Sequence, residues 1–340
     1  MNEVKHKSIS SILEKNIRNN TYKHKLPTVR FLSSEFSVST RTLNKALKPL
    51  VQKGLVIPGG PQGNLINSNK SIRPKTNIVG IFCCGASPDF QNDPLLKELK
   101  LKVEEDGCKA IFMNSPGTND FEDEKFWTSS WIDGYIFVYS TINKELAYLL
   151  SKNNVPFVVA NRLPAECGAH WVDFNLEKSM QTMVEYLADI GRRNIMLAFS
   201  RIHLPSYVEY IKNTWKTISR NYSAQTISEP LYIPGKNANK KIETCVEYFL
   251  TNNADAVVLI RISPTGIRAR LSETGKQINT DYSMVYNSYE IEDSAENIPC
   301  MFVPYSKLAD ETWELFKKII INPDLEIQNL LVDEDLVLTK

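Results

Sequence analysis

From Ser39 to Lys45 the chain reads Ser39-Thr40-Arg41-Thr42-Leu43-Asn44-Lys45, a run of hydroxyl, amide and cationic side chains interrupted once by leucine. On a helix these types form a polar face that can hydrogen-bond to base edges and phosphates. Arg30 upstream, and Gln62 and Gly63 in a glycine-rich turn downstream, extend that chemistry. Bond-making chemistry has no comparable grouping. The chain has no P-loop, no G-x-S-x-G and no H-E-x-x-H, and its acids and histidines stand apart. Six cysteines (Cys83, Cys84, Cys108, Cys167, Cys245, Cys300) are scattered without C-x-x-C spacing among only four histidines. No metal, cofactor or disulfide framework is therefore expected, and the thiols read as buried in a reducing compartment. Recognition, not catalysis, is the expectation.

The elements that must hold the recognition face are legible around it. Thr28 and Ser39 stand where helix N-caps belong, with Leu32, Leu43, Ala46, Leu47 and Leu50 on the apolar stripes behind them. Two short helices joined at Phe36-Ser37-Val38 make a helix-turn-helix whose second helix turns Ser39, Thr40, Arg41, Thr42, Asn44 and Lys45 outward. Gly54 ends that helix. Leu55-Val56-Ile57 and Asn64-Leu65-Ile66 flank a Pro/Gly-rich turn and read as a hairpin, which completes a winged helix. Charge agrees with this pattern. Residues 1–75 hold 14 Lys and Arg against three acids, a net of +11, whereas the other 265 residues hold 26 basic and 36 acidic, a net of −10. So basic a segment attracts polyphosphate and releases its counterions, which implies double-stranded DNA as a partner.

The segment resembles the winged helix-turn-helix of the GntR family over roughly residues 8–67. Leu-Pro-x-x-Arg at Leu26–Arg30, Val-Ser-x-x-Thr at Val38–Thr42, Ala-Leu-x-x-Leu at Ala46–Leu50 and Gly-Leu-Val at Gly54–Val56 stand in register with the family pattern. The resemblance implies a backbone or base contact from Arg30, major-groove reading from the start of the second helix, and a wing tip at Gln62 and Gly63 in the minor groove. Thr40 stands where the family often has Arg, so Arg41 is a candidate for that role.

At 340 residues the chain needs further cores, and residues 68–76, polar and aperiodic, read as a linker between domains at 1–67 and 77–340. Beyond it, apolar runs alternate with helical patterns. One series comprises Ile78–Cys83, Ala110–Met113, Gly134–Val138 and Phe157–Ala160; a second comprises Ile195–Phe199, Ala256–Ile260 and Met284–Tyr286. Continuous apolar strands between helices predict parallel sheets covered on both faces. The expected architecture is α/β, with the winged helix-turn-helix followed by two doubly wound lobes. Their strand ends would face a shared cleft. Trp127, Trp131 and Trp215 read as packing residues. No apolar run approaches a membrane span and no apolar leader begins the chain, so a cytoplasmic protein is expected.

Residues 77–340 resemble the periplasmic-binding-protein-like effector domain of Lac-repressor and galactose-repressor regulators. Trp131–Ile136, Val155–Arg162, and Val172–Asn175 followed by a helix to Leu187 and Gly191–Ile195 match that family's motifs in order and spacing. A GntR reader on such a sensor is the arrangement of arabinose-repressor-like regulators. The resemblance implies a homodimer, and a small effector in the cleft: a monosaccharide or related polyol, with an anionic group on it left open. A repressor of carbohydrate-utilisation genes relieved by its effector is the expectation; the alternatives are a sugar-responsive activator of the same class, or a solute-binding or enzymatic α/β protein with an accessory DNA-binding domain. The polar positions depart from the family, because Asn175 stands where Asp is usual and Arg261 where an acid is usual. Phe90, Tyr139, Arg162, Asn175, Arg201, Arg261 and Asn287, all at or after expected strand ends, are the candidate effector contacts.

Overall fold

The computed structural model describes residues 2–338 apart from 19–20, 23–24, 53–54, 59–62, 67–75, 84–92, 115–123, 129–130, 140–141, 164–166, 201–204, 223–225, 228, 236, 291–294, 296 and 323–324. Gly54, Gln62, Cys84, Phe90, Arg201 and linker residues 68–75 lie outside the described residues.

The N-terminal unit runs α1 (Asn2–Arg18), α2 (Val29–Glu35), α3 (Thr40–Gln52), β1 (Val56–Pro58) and β2 (Asn64–Ile66). Thr28 Oγ1 accepts from the Phe31 amide at 3.2 Å and Ser39 Oγ from the Thr42 amide at 3.2 Å, so both expected caps form. Ile9, Leu13 and Ile17 of α1 meet Leu32, Leu43, Ala46, Leu47 and Leu50 in one buried core. The two strands pair antiparallel, Val56 opposite Ile66. Lys25 bridges to Leu65, and the Leu26 amide donates to the Asn64 carbonyl at 2.9 Å, which adds a third short strand to the wing.

The chain then builds β3 (Ile78–Cys83), α4 (Pro94–Glu105), β4 (Lys109–Asn114), α5 (Glu124–Trp127), β5 (Gly134–Val138), α6 (Lys144–Lys152), β6 (Phe157–Ala160) and β7 (Trp171–Phe174). It crosses to a second lobe with α7 (Leu176–Asp189), β8 (Ile195–Ser200), α8 (Pro205–Asn221), β9 (Leu231–Ile233), α9 (Ala238–Thr251), β10 (Ala256–Ile260), α10 (Pro264–Glu273), β11 (Ser283–Ser288) and β12 (Cys300–Phe302). It returns to the first lobe as α11 (Tyr305–Ile321) and β13 (Asn329–Val332), and ends in the second as β14 (Asp335–Val337).

The two sheets share one plan. Their orders are β4-β3-β5-β6-β7-β13 and β9-β8-β10-β11-β12-β14, parallel throughout except where β14 runs antiparallel to β12. That antiparallel edge, and strands β9, β12, β13 and β14, were not legible in the sequence, since each is three or four residues long. In each lobe the order reverses beside the first strand, so the crevices that such a reversal opens lie beyond β3 and β5, and beyond β8 and β10.

Both sheets are covered on two faces, which is why their central strands are apolar end to end. Trp127 and Trp215 are fully buried, as expected of packing residues, whereas Trp131 is 47% exposed. It sits in a turn just before β5, outside the apolar run. Cys83, Cys245 and Cys300 are buried, but Cys108 and Cys167 are only half-buried because both lie in loops at element ends.

Gly134 is required by close approach. A Cβ there would lie 2.4 Å from the Pro156 carbonyl oxygen and 2.9 Å from the Phe316 ring, which fastens α11 against the start of β5. Gly134→Ala is expected to cost about 1–3 kcal/mol through forced displacement of backbone. It should lower the urea midpoint of the full-length protein, and an unchanged midpoint would show that the Pro156 loop yields freely.

Candidate DNA interface and effector cleft

In the winged helix, one face of α3 is buried and the other is open. Thr40, Arg41, Asn44 and Lys45 are exposed, as is Arg30 on α2. Ser39 and Thr42 are also on this side, but their hydroxyls lie 2.9 Å apart and serve the cap, which leaves less of them for a partner. Gly63, at φ +85°, sits at the end of the wing turn. A Cβ there would meet Lys25 Cε at 2.8 Å, so the Lys25 side chain lies over the wing backbone. Lys25 is a cation on this surface that pattern reading did not single out; its signal was the position just before Leu26-Pro27. Phe31, 60% exposed beside Arg30, is a second.

The cleft is built from matching positions in the two lobes. Tyr139 follows β5 at φ +59° and Arg261 follows β10 at φ +58°, the corresponding strand of each sheet. Side chains in this left-handed region are strained, and here each is held by an asparagine from the next strand. Asn161 Oδ1 accepts the Tyr139 amide at 2.6 Å, and Asn287 Oδ1 accepts the Arg261 amide at 2.9 Å. Asn287 was expected at or after a strand end. It lies inside β11, because that strand continues to Ser288, and its oxygen serves Arg261.

Asn175 is similarly committed. It caps α7, its amide nitrogen donates to Asp333 at 2.9 Å, and its backbone amide donates to Val332 at 2.8 Å. Lys178 adds a 2.5 Å contact to the other oxygen of Asp333. These bonds tie the first crossing between lobes to the third.

Arg162, after β6, places its guanidinium 4.2 Å from the Tyr210 ring centroid on α8 and 5.3 Å from that of Trp171 on β7. The cation is thus clasped between aromatic rings of both lobes. Tyr139 donates its phenol proton to Asp93 Oδ2 at 2.8 Å, and burial followed by nearby Tyr305 and Asp93 pushes that phenol's pKa far up.

Two residues that the sequence reading passed over stand between these groups. Asp173 is 1% exposed; its Oδ1 accepts the Phe174 amide at 2.9 Å, and its Oδ2 has no partner. Burial pushes its pKa from 3.8 up to about 6, against the backbone amides of Phe174 and Arg162 and the charges of Arg162 and Arg261. Glu334, in the third crossing, has a buried Oε2 with no partner, and burial with the added repulsion of Asp173 pushes its pKa up to about 7 despite Ser179 and Arg261. The available signal for Asp173 was a lone acid inside the apolar run Val172–Phe174. Glu334 was hidden in the acidic run Asp333-Glu334-Asp335.

The exposed polar face of α3 is thus joined in one chain to a two-lobed α/β domain. Residues 5–63, the winged helix, match the family described as bacterial regulatory proteins, gntR family. The remainder has the periplasmic-binding-protein-like fold of LacI-type regulators. Catabolite control protein A of Staphylococcus epidermidis is 20% identical over 228 residues, 66% of this chain and 69% of that protein. A solved transcriptional regulator CelR–cellobiose complex superposes with a TM-score of 0.62 at 15% identity, covering 92% of this chain and 99% of that one. A LacI family regulator from Enterococcus faecium with bound ribose gives 0.58 at 18% identity over 77% of this chain and 97% of its own. No described helix is long and apolar enough to cross a membrane, and the described residues contain no cluster of metal-ligating side chains.

The raised carboxyls make stability depend on pH. Between the unfolded and folded values the native state binds more protons than the unfolded chain, so their contribution is full at low pH and is lost as pH rises through the folded values. With Asp173 raised from 3.8 to about 6, that loss is on the order of 2–3 kcal/mol across pH 4 to 7. Asp173→Asn and Glu334→Gln should each flatten the decline and be more stable than the parent at pH 8. Thermal melts at half-unit steps check this, and parallel profiles for parent and variants would remove the assignment.

Proposed function

We propose that this chain is a repressor of carbohydrate-utilisation genes that binds operator DNA as a homodimer and is released by a small sugar-like effector in the interlobe cleft. It acts in the cytoplasm and has no enzymatic role. The observation that carries the reading is the division of α3, with Leu43, Ala46, Leu47 and Leu50 buried and Thr40, Arg41, Asn44 and Lys45 exposed. The exposed face is basic and polar, and a major groove offers acceptors and phosphates at this spacing. Arg30, Lys25 and the wing at Gly63 flank it, and Ser39, Thr42 and Gln62 complete the assigned contacts. The domains assigned are residues 1–67 for reading, 68–76 for linkage and 77–340 for sensing and dimerisation.

A homodimer follows from reading geometry, because one recognition helix covers few base pairs and paired half-sites lie about one helical turn apart. For the sensor, support comes from the strand ends of both lobes meeting at Tyr139, Arg162, Asp173 and Arg261, two of which, Arg162 and Asp173, have an unpartnered buried atom. An effector favouring one arrangement of the lobes shifts DNA affinity only by its differential binding, about 1–3 kcal/mol in typical couplings.

Selection from a randomised duplex pool with the full-length protein should yield a two-fold-symmetric site. On it, Arg41→Ala should cost about 1–3 kcal/mol and relax preference at one base position. Lys45→Ala should weaken selected and random DNA alike and flatten the salt slope. Equal loss on both DNAs for Arg41→Ala would reduce that residue to positioning, and no enriched site at all would end the operator reading. Sedimentation should show a dimer at micromolar concentration. Arg162→Ala should blunt effector release while leaving DNA affinity nearly unchanged, since the clasp to Tyr210 is its bond between lobes.

A further inference from the structure

The unsatisfied atoms of the cleft state what its occupant must supply. Of the two cations there, Arg162 is already clasped by Trp171 and Tyr210, and Arg261 lies within electrostatic reach of Asp173, Glu334 and the phenols of Tyr139, Tyr207 and Tyr305. The positive charge is thus largely answered from within the protein. Each carboxyl, though partly answered by the same cations, keeps one oxygen without a donor. Asp173 Oδ2 and Glu334 Oε2 are both buried without a hydrogen bond, close enough to repel one another, and one stands at each of two crossings between the lobes. A buried carboxylate oxygen without a donor is costly, and only hydrogen-bond donors can satisfy it once it is ionised. Among the described cleft residues, Arg162 Nε is the one charged donor left without a hydrogen bond.

Resting on the reading of this cleft as an effector site, we infer that Asp173 and Glu334 are the effector's acceptors. The effector then meets them with hydroxyl or ammonium donors and carries no phosphate or carboxylate. An anionic group would face two carboxyls, against which the cleft offers one unpaired guanidinium nitrogen, Arg162 Nε. Hydroxyls on adjacent carbons can donate to two acceptors at once, and an ammonium group would add charge pairing. Such a ligand bonds both crossings simultaneously, so its binding bears directly on the lobes' relative position. Asn175 and Asn287, whose side chains are bonded within the protein, contribute through the hinge and the Arg261 backbone rather than by contact.

The test is a thermal-shift and calorimetric panel on full-length protein with D-ribose, cellobiose and maltose as neutral members, D-glucosamine as the aminated member, and D-gluconate and glucose 6-phosphate as anionic members. Stabilisation by neutral or aminated members alone, with affinity reduced about tenfold or more by Asp173→Asn or Glu334→Gln, is the expected result. Which of the two groups binds separates hydroxyl from ammonium recognition. Preference for an anionic member, or equal affinity in both variants, overturns the inference while leaving the sugar sensor standing. No shift with any member removes the sensor reading itself and this inference with it.

Should the variants fold poorly by circular dichroism, the parent supplies a second measurement. The charged and titratable groups facing the two carboxyls are Arg162, Arg261, Tyr207, Tyr210 and Tyr305. Ligand donors favour the ionised carboxylates, so binding of a neutral sugar releases protons and its affinity should rise between about pH 5.5 and 8. Affinity independent of pH would overturn the assignment.

Discussion

Lobe 1 cannot complete its core until the chain has finished most of lobe 2. The sheet of lobe 1 packs against Leu308, Trp313, Leu315, Phe316 and Ile319 of α11, which follows β12 of the other lobe, and its edge is closed by β13, still later in the chain. Burial of that helix, worth roughly 1.5–3 kcal/mol for each large apolar side chain, obliges the backbone to cross between lobes three times. The crossings follow Phe174, Phe302 and Val332. Asp173 and Asn175 stand at the first of them and Glu334 at the third.

The crossings are fastened chiefly by polar bonds. Asn175 and Lys178 hold Asp333, Lys307 holds Asp335, and the ring of Tyr305 meets Phe174 at 5.4 Å and Tyr289 at 5.8 Å. The ion pairs are exposed and contribute little individually, so they set geometry more than stability. Asp173 and Glu334 are different, because desolvation works against their charged forms and the fold tolerates them only by raising their pKa. A site that stores unmet hydrogen-bonding capacity at a hinge gives a ligand leverage over the hinge. Perturbed, buried acids of this kind concentrate at functional sites for that reason.

Asp133 fastens the start of the two-lobed domain. Its carboxylate accepts from the Thr76 amide at 2.7 Å, the Thr76 hydroxyl at 2.9 Å and the Asn77 amide at 2.9 Å. Thr76, read from the sequence as the last linker residue, is therefore fastened to the turn before β5. That turn leads into the strand whose far end presents Tyr139 to the cleft. The strand is central and wholly buried, so both of its ends belong to one rigid element.

By itself, the sequence determined the local elements and their chemistry. The caps at Thr28 and Ser39, the stripe from Leu43 to Leu50, the polar face beside it and the apolar central strands are all written in spacings of one to four residues, which is the range over which helix and strand periodicities act. Tertiary structure alone decided which distant residues share a site. Asp173 and Glu334 are 161 positions apart and meet only because β13 returns beside β7. Asn175 looked like a ligand contact because Asp333, which occupies its amide, is equally remote. Short edge strands such as β9 and β14 carry too few residues to show a period, and the sheet recruits them through backbone pairing that no side-chain pattern records. Burial and hydrogen-bond commitment are properties of neighbours, and in a chain that crosses three times between lobes the neighbours are far apart in sequence.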